Sequence, residues 1–138
     1  MEGFEKLEQL EKLYLERNRI SKLEGLQNCR NLKELVLSNQ NHMAYEFTFD
    51  DYSLAGISGT LTTLDLSYCR VSSVKQLYFL DGLDNLKLNN NNIADLNDEV
   101  LYMLNTMKRL HTLDLRNNAV TKSTVKYRDH VIMVCFSV

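Results

Sequence analysis

Leucines recur along this chain at a spacing that neither one helix nor one long strand explains. Five nine-residue segments superpose: LEKLYLERN from Leu10, LKELVLSNQ from Leu32, LTTLDLSYC from Leu61, LDNLKLNNN from Leu83 and LHTLDLRNN from Leu110. Positions one, four and six are leucine in every segment. The leucine-x-leucine alternation predicts a short strand with one face turned inward. Position nine holds Asn18, Gln40, Cys69, Asn91 and Asn118. An asparagine side chain both donates and accepts. Stacked side chains at position nine are therefore expected to satisfy the buried backbone groups of the turn that follows each strand. In the run Asn89–Asn92, Asn91 takes that role. Asn89 and Asn90 fall at positions seven and eight, expected to be surface, and Asn92 opens the turn before Ile93.

The return legs have a period of their own. Ile20, Leu23, Leu26, Cys29 and Leu32 are three apart, as are Val71, Val74, Leu77, Leu80 and Leu83. That spacing suits a 3₁₀-type return. Cys29 then points inward as a small hydrophobe, and Cys69 stands in for a ladder asparagine. Two returns are longer. One contains DDYSLAGI, a short helix capped near Asp50 or Asp51. The other, NDEVLYMLNTMKRL, predicts a helix capped by Asn97 or Asp98, with Val100, Leu101, Leu104, Met107 and Leu110 as its apolar stripe. After Lys122–Ser123–Thr124 a further helix is expected, with Tyr127, Val131, Ile132, Val134 and Cys135 as apolar candidates.

The segment starts lie 22, 29, 22 and 27 residues apart, inside the range of leucine-rich repeats, which the chain resembles. The expected fold is an α/β solenoid: a leucine-rich-repeat horseshoe with a short parallel concave sheet, a 3₁₀/helical convex side and a C-terminal helical cap. One domain would span 1–138, with strands near 10–18, 32–40, 61–69, 83–91 and 110–118 and a cap over 119–138. EGFEKLEQL aligns with EGLQNCRNL at a shift of 22, so Met1 stands where Leu23 does and the preceding strand is absent. The chain thus reads as a fragment or short isoform. An end left uncapped at Met1, Phe4 and Leu7 is expected to favour self-association.

Charge narrows the function classes. Lys+Arg is 16 and Asp+Glu is 18, a net charge of -2. Such a balance carries no electrostatic footprint for nucleic acid or an anionic membrane. Three cysteines without framework spacing, a charged start and a longest apolar run of Val131–Phe136 favour a cytoplasmic protein with reduced thiols. No phosphate loop, His-Glu-x-x-His or Cys-x-x-Cys is present. His42, His111 and His130 are scattered. Asp65 and Asp114 share position five but have Lys87 between them, so two strand steps of about 4.8 Å hold them apart. An enzyme is not expected, nor a metal or cofactor.

Positions three, five, seven and eight should line the concave face, the usual binding surface of a solenoid. The candidate partner-binding residues are Lys12, Tyr14, Glu16, Arg17, Glu34, Asp65, Tyr68, Lys87, Asp114 and Arg116, with Tyr14, Arg17 and Tyr68 foremost because Tyr and Arg dominate interface hot spots. The 22-residue form with its LEGL turn, and NNAV…KYRDHVIMV after the last repeat, resemble the leucine-rich-repeat regulatory subunits of protein phosphatase 1. The resemblance implies a non-enzymatic regulatory or targeting role toward the phosphatase catalytic subunit or cytoskeletal proteins, in the cytoplasm and at the cytoskeleton or centrosome, with the nucleus open. Two departures stand out. The cap begins Asn118–Ala119 rather than Asn-Pro, and the basic-x-Val-x-Phe docking motif common among phosphatase partners is missing. KQLYF at Lys75 is a near miss whose Leu77 is expected in the core. Rival readings are a ciliary or dynein-assembly scaffold and, against the low basic content, an RNA-particle component.

Overall fold

A computed structural model of the chain describes residues 1–40, 44–95 and 97–123. The strand of each repeat occupies positions three to five: β1 (Lys12–Tyr14), β3 (Glu34–Val36), β5 (Thr63–Asp65), β6 (Asn85–Lys87) and β7 (Thr112–Asp114). They form one parallel sheet in the order β1-β3-β5-β6-β7. Each position lies directly opposite the same position of the next repeat, so Leu13, Leu35, Leu64, Leu86 and Leu113 stand in one row. Period-two alternation sends that row inward and leaves positions three and five on the open face. Pairing continues past the strands. Position six donates to position five of the next repeat, as Leu37 N–H does to Asp65 O (2.9 Å), and position eight donates to position seven, as Asn39 N–H does to Ser67 O (2.8 Å).

The leucines of the middle repeats are fully buried, and one contiguous apolar core runs from Leu23 to Val120. Leu10, Leu13, Leu15 and Ile20 are only half-buried, because no described repeat stacks beyond β1. The 3₁₀ return appears in the third repeat, where KQLYF winds as a 3₁₀ helix over Lys75–Phe79 with Leu77 buried. The first return differs from expectation. β2 (Lys22–Leu23) pairs in parallel with β4 (Thr48–Phe49), forming a second small sheet on the return side. The longer segment after Gln40 brings Thr48 beside Ser21, and Phe47 and Phe49 meet edge to face at 5.4 Å. The period-two EFTF stretch carried that signal.

Both longer returns contain their helices. α1 (Asp51–Ile57) is capped by Asp50, whose Oδ2 accepts from Ser53 N–H (2.9 Å) and the Ser53 hydroxyl (3.0 Å). Ser53 Oγ in turn accepts Leu26 N–H at 3.2 Å, tying the cap to the preceding repeat. α2 (Asp98–Thr106) is capped by Asn97, whose Oδ1 accepts Val100 N–H. Its buried stripe is Val100, Met103 and Leu104, continued by Met107. Leu101 sits at the edge of that stripe, half-buried: one residue past Val100 the helix has turned by roughly 100°. α3 (Val120–Ser123) follows the last strand. The expected cap from residue 124 onward, with Tyr127, His130 and Cys135, lies outside the described residues, as does His42.

Candidate functional site

Position nine works as a column of cross-repeat bonds. Asn91 Oδ1 accepts from Cys69 N–H (3.0 Å) and Val71 N–H (2.9 Å), and its Nδ2 donates to Leu66 O (2.8 Å) and Leu88 O (2.9 Å). Asn118 repeats this toward Ile93 N–H, Leu88 O and Leu115 O. Gln40 does the same with a longer arm: Oε1 accepts Ile20 N–H (2.8 Å) and Nε2 donates to Leu15 O (2.7 Å) and Leu37 O (2.9 Å). Cys69 Sγ lies 3.0 Å from Leu37 O. Burial pushes its thiol pKa up to about 12, so it stays a neutral donor at physiological pH and is no nucleophile. Asn18 departs from the ladder role. It is exposed, and among the described residues its Nδ2 bonds only Leu15 O and Glu16 O of its own turn.

The candidate binding residues fall into four groups on the open face. Lys12 Nζ and Glu34 Oε2 pair at 3.3 Å across β1 and β3. The Glu34 carboxylate raises the Lys12 ammonium pKa. Tyr14, half exposed, stands beside them, and its phenol is raised by partial desolvation and by Glu34. Asp65 and Lys87 pair at 3.5 Å across β5 and β6. Arg116 folds back on Asp114 of its own repeat with two bonds, 2.9 Å and 2.7 Å, and the guanidinium holds the Asp114 carboxyl below its ordinary value. Arg17 and Tyr68 form the fourth group, at the position-eight edge. Glu16 is exposed and joins none of them.

Two of the acids also shape the backbone. Asp65 Oδ1 accepts Ser67 N–H (3.0 Å), and Asp114 Oδ1 accepts Arg116 N–H (3.1 Å). Each carboxylate braces the start of the turn after its strand, a side-chain-closed turn typical of Asp. Ser67, on a position expected to be exposed, is buried, its hydroxyl between Asp65 Oδ1 (2.6 Å) and Asn89 Oδ1 (2.7 Å). Asn89 and Asn90 are half-buried rather than free surface, and Asn90 Oδ1 accepts from Asn117 Nδ2 at 3.0 Å. The reason is position eight: Arg17, Asn39, Tyr68, Asn90 and Asn117 all have φ between 57° and 59°. The strand leaves the sheet through one left-handed residue, which brings the side chains at positions seven and eight of adjacent repeats together. Asn39, absent from the candidates, sits between Arg17 and Tyr68 at this edge; its signal was the asparagine recurring at position eight in three repeats.

Among the described residues no cluster of His, Cys, Asp or Glu could hold a metal ion, and no helix is long and apolar enough to cross a membrane. His111 meets Asp84 across position two of the last two repeats, fully on the surface.

Comparison with known proteins agrees with this geometry. Residues 8–43 match the family described as Leucine Rich repeats (2 copies), a stretch that holds β1, β2 and β3. Among solved structures, an internalin from Listeria monocytogenes superposes with a TM-score of 0.66 at 22% identity, covering 91% of this chain and 33% of its own. That likeness establishes the fold, and the chain spans about a third of the internalin's length. No curated protein matches the chain.

Proposed function

We propose that this stack of leucine-rich repeats is a non-enzymatic protein-interaction module that binds its partner on the open face of the sheet. The observation that carries the reading is the register of the five parallel strands. It places Lys12, Glu34, Thr63, Asn85 and Thr112 in one row and Tyr14, Val36, Asp65, Lys87 and Asp114 in the next. A rigid backbone thereby presents two ordered rows of mixed charge and aromatic side chains, which suits shape- and charge-complementary binding. The cross-strand pairs mean that these charges steer and register a partner more than they add raw affinity.

The partner we put forward is the catalytic subunit of protein phosphatase 1, acting in the cytoplasm or at the cytoskeleton or centrosome. Support comes from the resemblance of the 22-residue repeats and their closing segment to its regulatory subunits. Within that group the chain resembles regulatory subunit 42, through Gln40 in the ladder, FDDYSLAGI before LTTLDLS, and DEVLYMLNTMKRL before the last strand. KQLYF offers no substitute for the missing docking motif, since it is helical and its Leu77 is buried. Phosphatase contact would use the open face.

Calorimetry with purified phosphatase catalytic subunit tests this. Binding is expected, weakened at least tenfold by Tyr14→Ala or Lys87→Glu and unchanged by Tyr102→Ala on α2. No binding, alongside recovery of ciliary or splicing proteins that depend on the same two residues, would remove the phosphatase and keep the module. A partner indifferent to every change on the open face would remove both.

A further inference from the structure

Position eight is left-handed in every repeat, yet its residues are not equally suited to it. Asn39, Asn90 and Asn117 are of the type that tolerates this conformation best. Arg17 and Tyr68 are not, and both are exposed, so core packing does not explain them. Strained residues of this kind persist where surrounding bonds hold the backbone and where function uses the side chain. The bonds are present: Arg17 N–H donates to Ser38 O (3.0 Å) and Tyr68 N–H to Asn89 O (3.1 Å).

The two misfit side chains also converge. Arg17 and Tyr68 flank Asn39, and with Gln40 beneath they line an open concavity of about 470 Å³. Gln40 is held by Ile20, Leu15 and Leu37, so the floor is fixed. Among the described residues no acidic side chain lines the concavity. The contrast with the sheet is direct: Lys12, Lys87 and Arg116 each meet a carboxylate of this chain, whereas the Arg17 guanidinium pairs with none among the described residues.

We propose that this concavity is a carboxylate-recognition site for an Asp or Glu side chain on an acidic segment of the protein partner. It rests on the interaction-module reading and gives that partner a chemistry. The Arg17 fork grips the carboxylate through two parallel bonds. The Asn39 amide donates from the middle of the site. The Tyr68 ring covers the aliphatic stem of the incoming residue and shields the ion pair from water, which strengthens it.

The test uses two fluorescein-labelled peptides, one alternating Glu and Ala and one with Gln in place of each Glu. Their binding to the full chain is followed by fluorescence anisotropy. The acidic peptide is expected to saturate and the Gln peptide not to. Arg17→Asn and Tyr68→Asn place a left-handed-tolerant residue at each site. Each variant is expected to melt a few degrees higher while binding the acidic peptide at least tenfold more weakly, so lost binding is not lost folding. Arg30→Asn removes the same charge elsewhere and is expected to bind like the unchanged chain. Equal binding of both peptides, or acidic-peptide binding that survives Arg17→Asn, overturns the site. A protein partner lost with Lys87→Glu but unaffected by Arg17→Asn also overturns it, while leaving the open-face reading intact.

Discussion

Four consecutive asparagines occupy four different environments. Asn89 meets Ser67, Asn90 adopts a left-handed backbone, Asn91 spans two repeats with four short bonds, and Asn92 is exposed. Asn91→Ala would take the side-chain partner from Cys69 N–H, Val71 N–H and Leu66 O in a buried turn, while Leu88 O keeps the Asn118 amide. A loss of about 1–3 kcal/mol is expected. Asn92→Ala removes only exposed side-chain atoms and should cost within ~0.5 kcal/mol. Asn90 is no neutral control, since alanine tolerates its φ of 58° less well. Parallel urea melts check this pair, and equal midpoints for Asn91→Ala and Asn92→Ala would mean that the column of cross-repeat bonds does not hold the turns.

At the scale of one element, α1 shows how tightly a helix is seated on the preceding return. Gly56 lies in its last turn, and a Cβ there would fall 2.4 Å from Gln27 O and 2.5 Å from Gln27 Cα. Both atoms are backbone and cannot swing aside. In an exposed helix Gly→Ala stabilises by up to about 1 kcal/mol. Here Gly56→Ala should destabilise by about 1–3 kcal/mol, because the helix must lift off Gln27 and stretch the bond from Leu26 N–H to Ser53 Oγ to make room. Thermal denaturation gives the sign directly, and a rise in melting temperature would show that the helix shifts freely. DDYSLAGI announced a capped helix through Asp50. That its glycine is a contact point and not a flexible joint depended on which residue of another repeat came to face it.

For the whole molecule, ion pairs within and between repeats set the response to acid. Lys33 beside Glu11, Lys22 beside Glu24 and Arg116 beside Asp114 each hold a carboxyl pKa below its ordinary value. A depressed folded pKa adds stability that is complete above the unfolded value and is lost as pH falls through the folded one. Stability should therefore be level from neutral pH down to the ordinary carboxylate range and decline below it. The decline should be shallower in high salt, where exposed pairs are screened, and in Asp114→Asn. Denaturant midpoints across an acid series test this. A midpoint that already falls between pH 7 and pH 6 would place the titrating groups elsewhere.

The sequence alone determined the repeat, a short strand within each nine-residue segment and the inward row of leucines; the structure confined each strand to positions three to five. All three follow from local periodicity, which a strand or turn expresses wherever it is placed. It also picked out Asn91, Asn118 and Gln40, because a polar side chain at a fixed offset from buried leucines has few other uses. Tertiary structure decided what depends on a neighbour's position. Stacking made Asn18 exposed and Gln40 buried at the same repeat position, since only one of them has a described repeat on its outer side. Stacking also neutralised Lys12 and Lys87 against acids one strand away, and left Arg17 facing Tyr68 across Asn39. Those residues are 51 positions apart in the chain. No local pattern joins them: they meet because parallel, in-register strands bring position eight of each repeat to the same edge of the sheet.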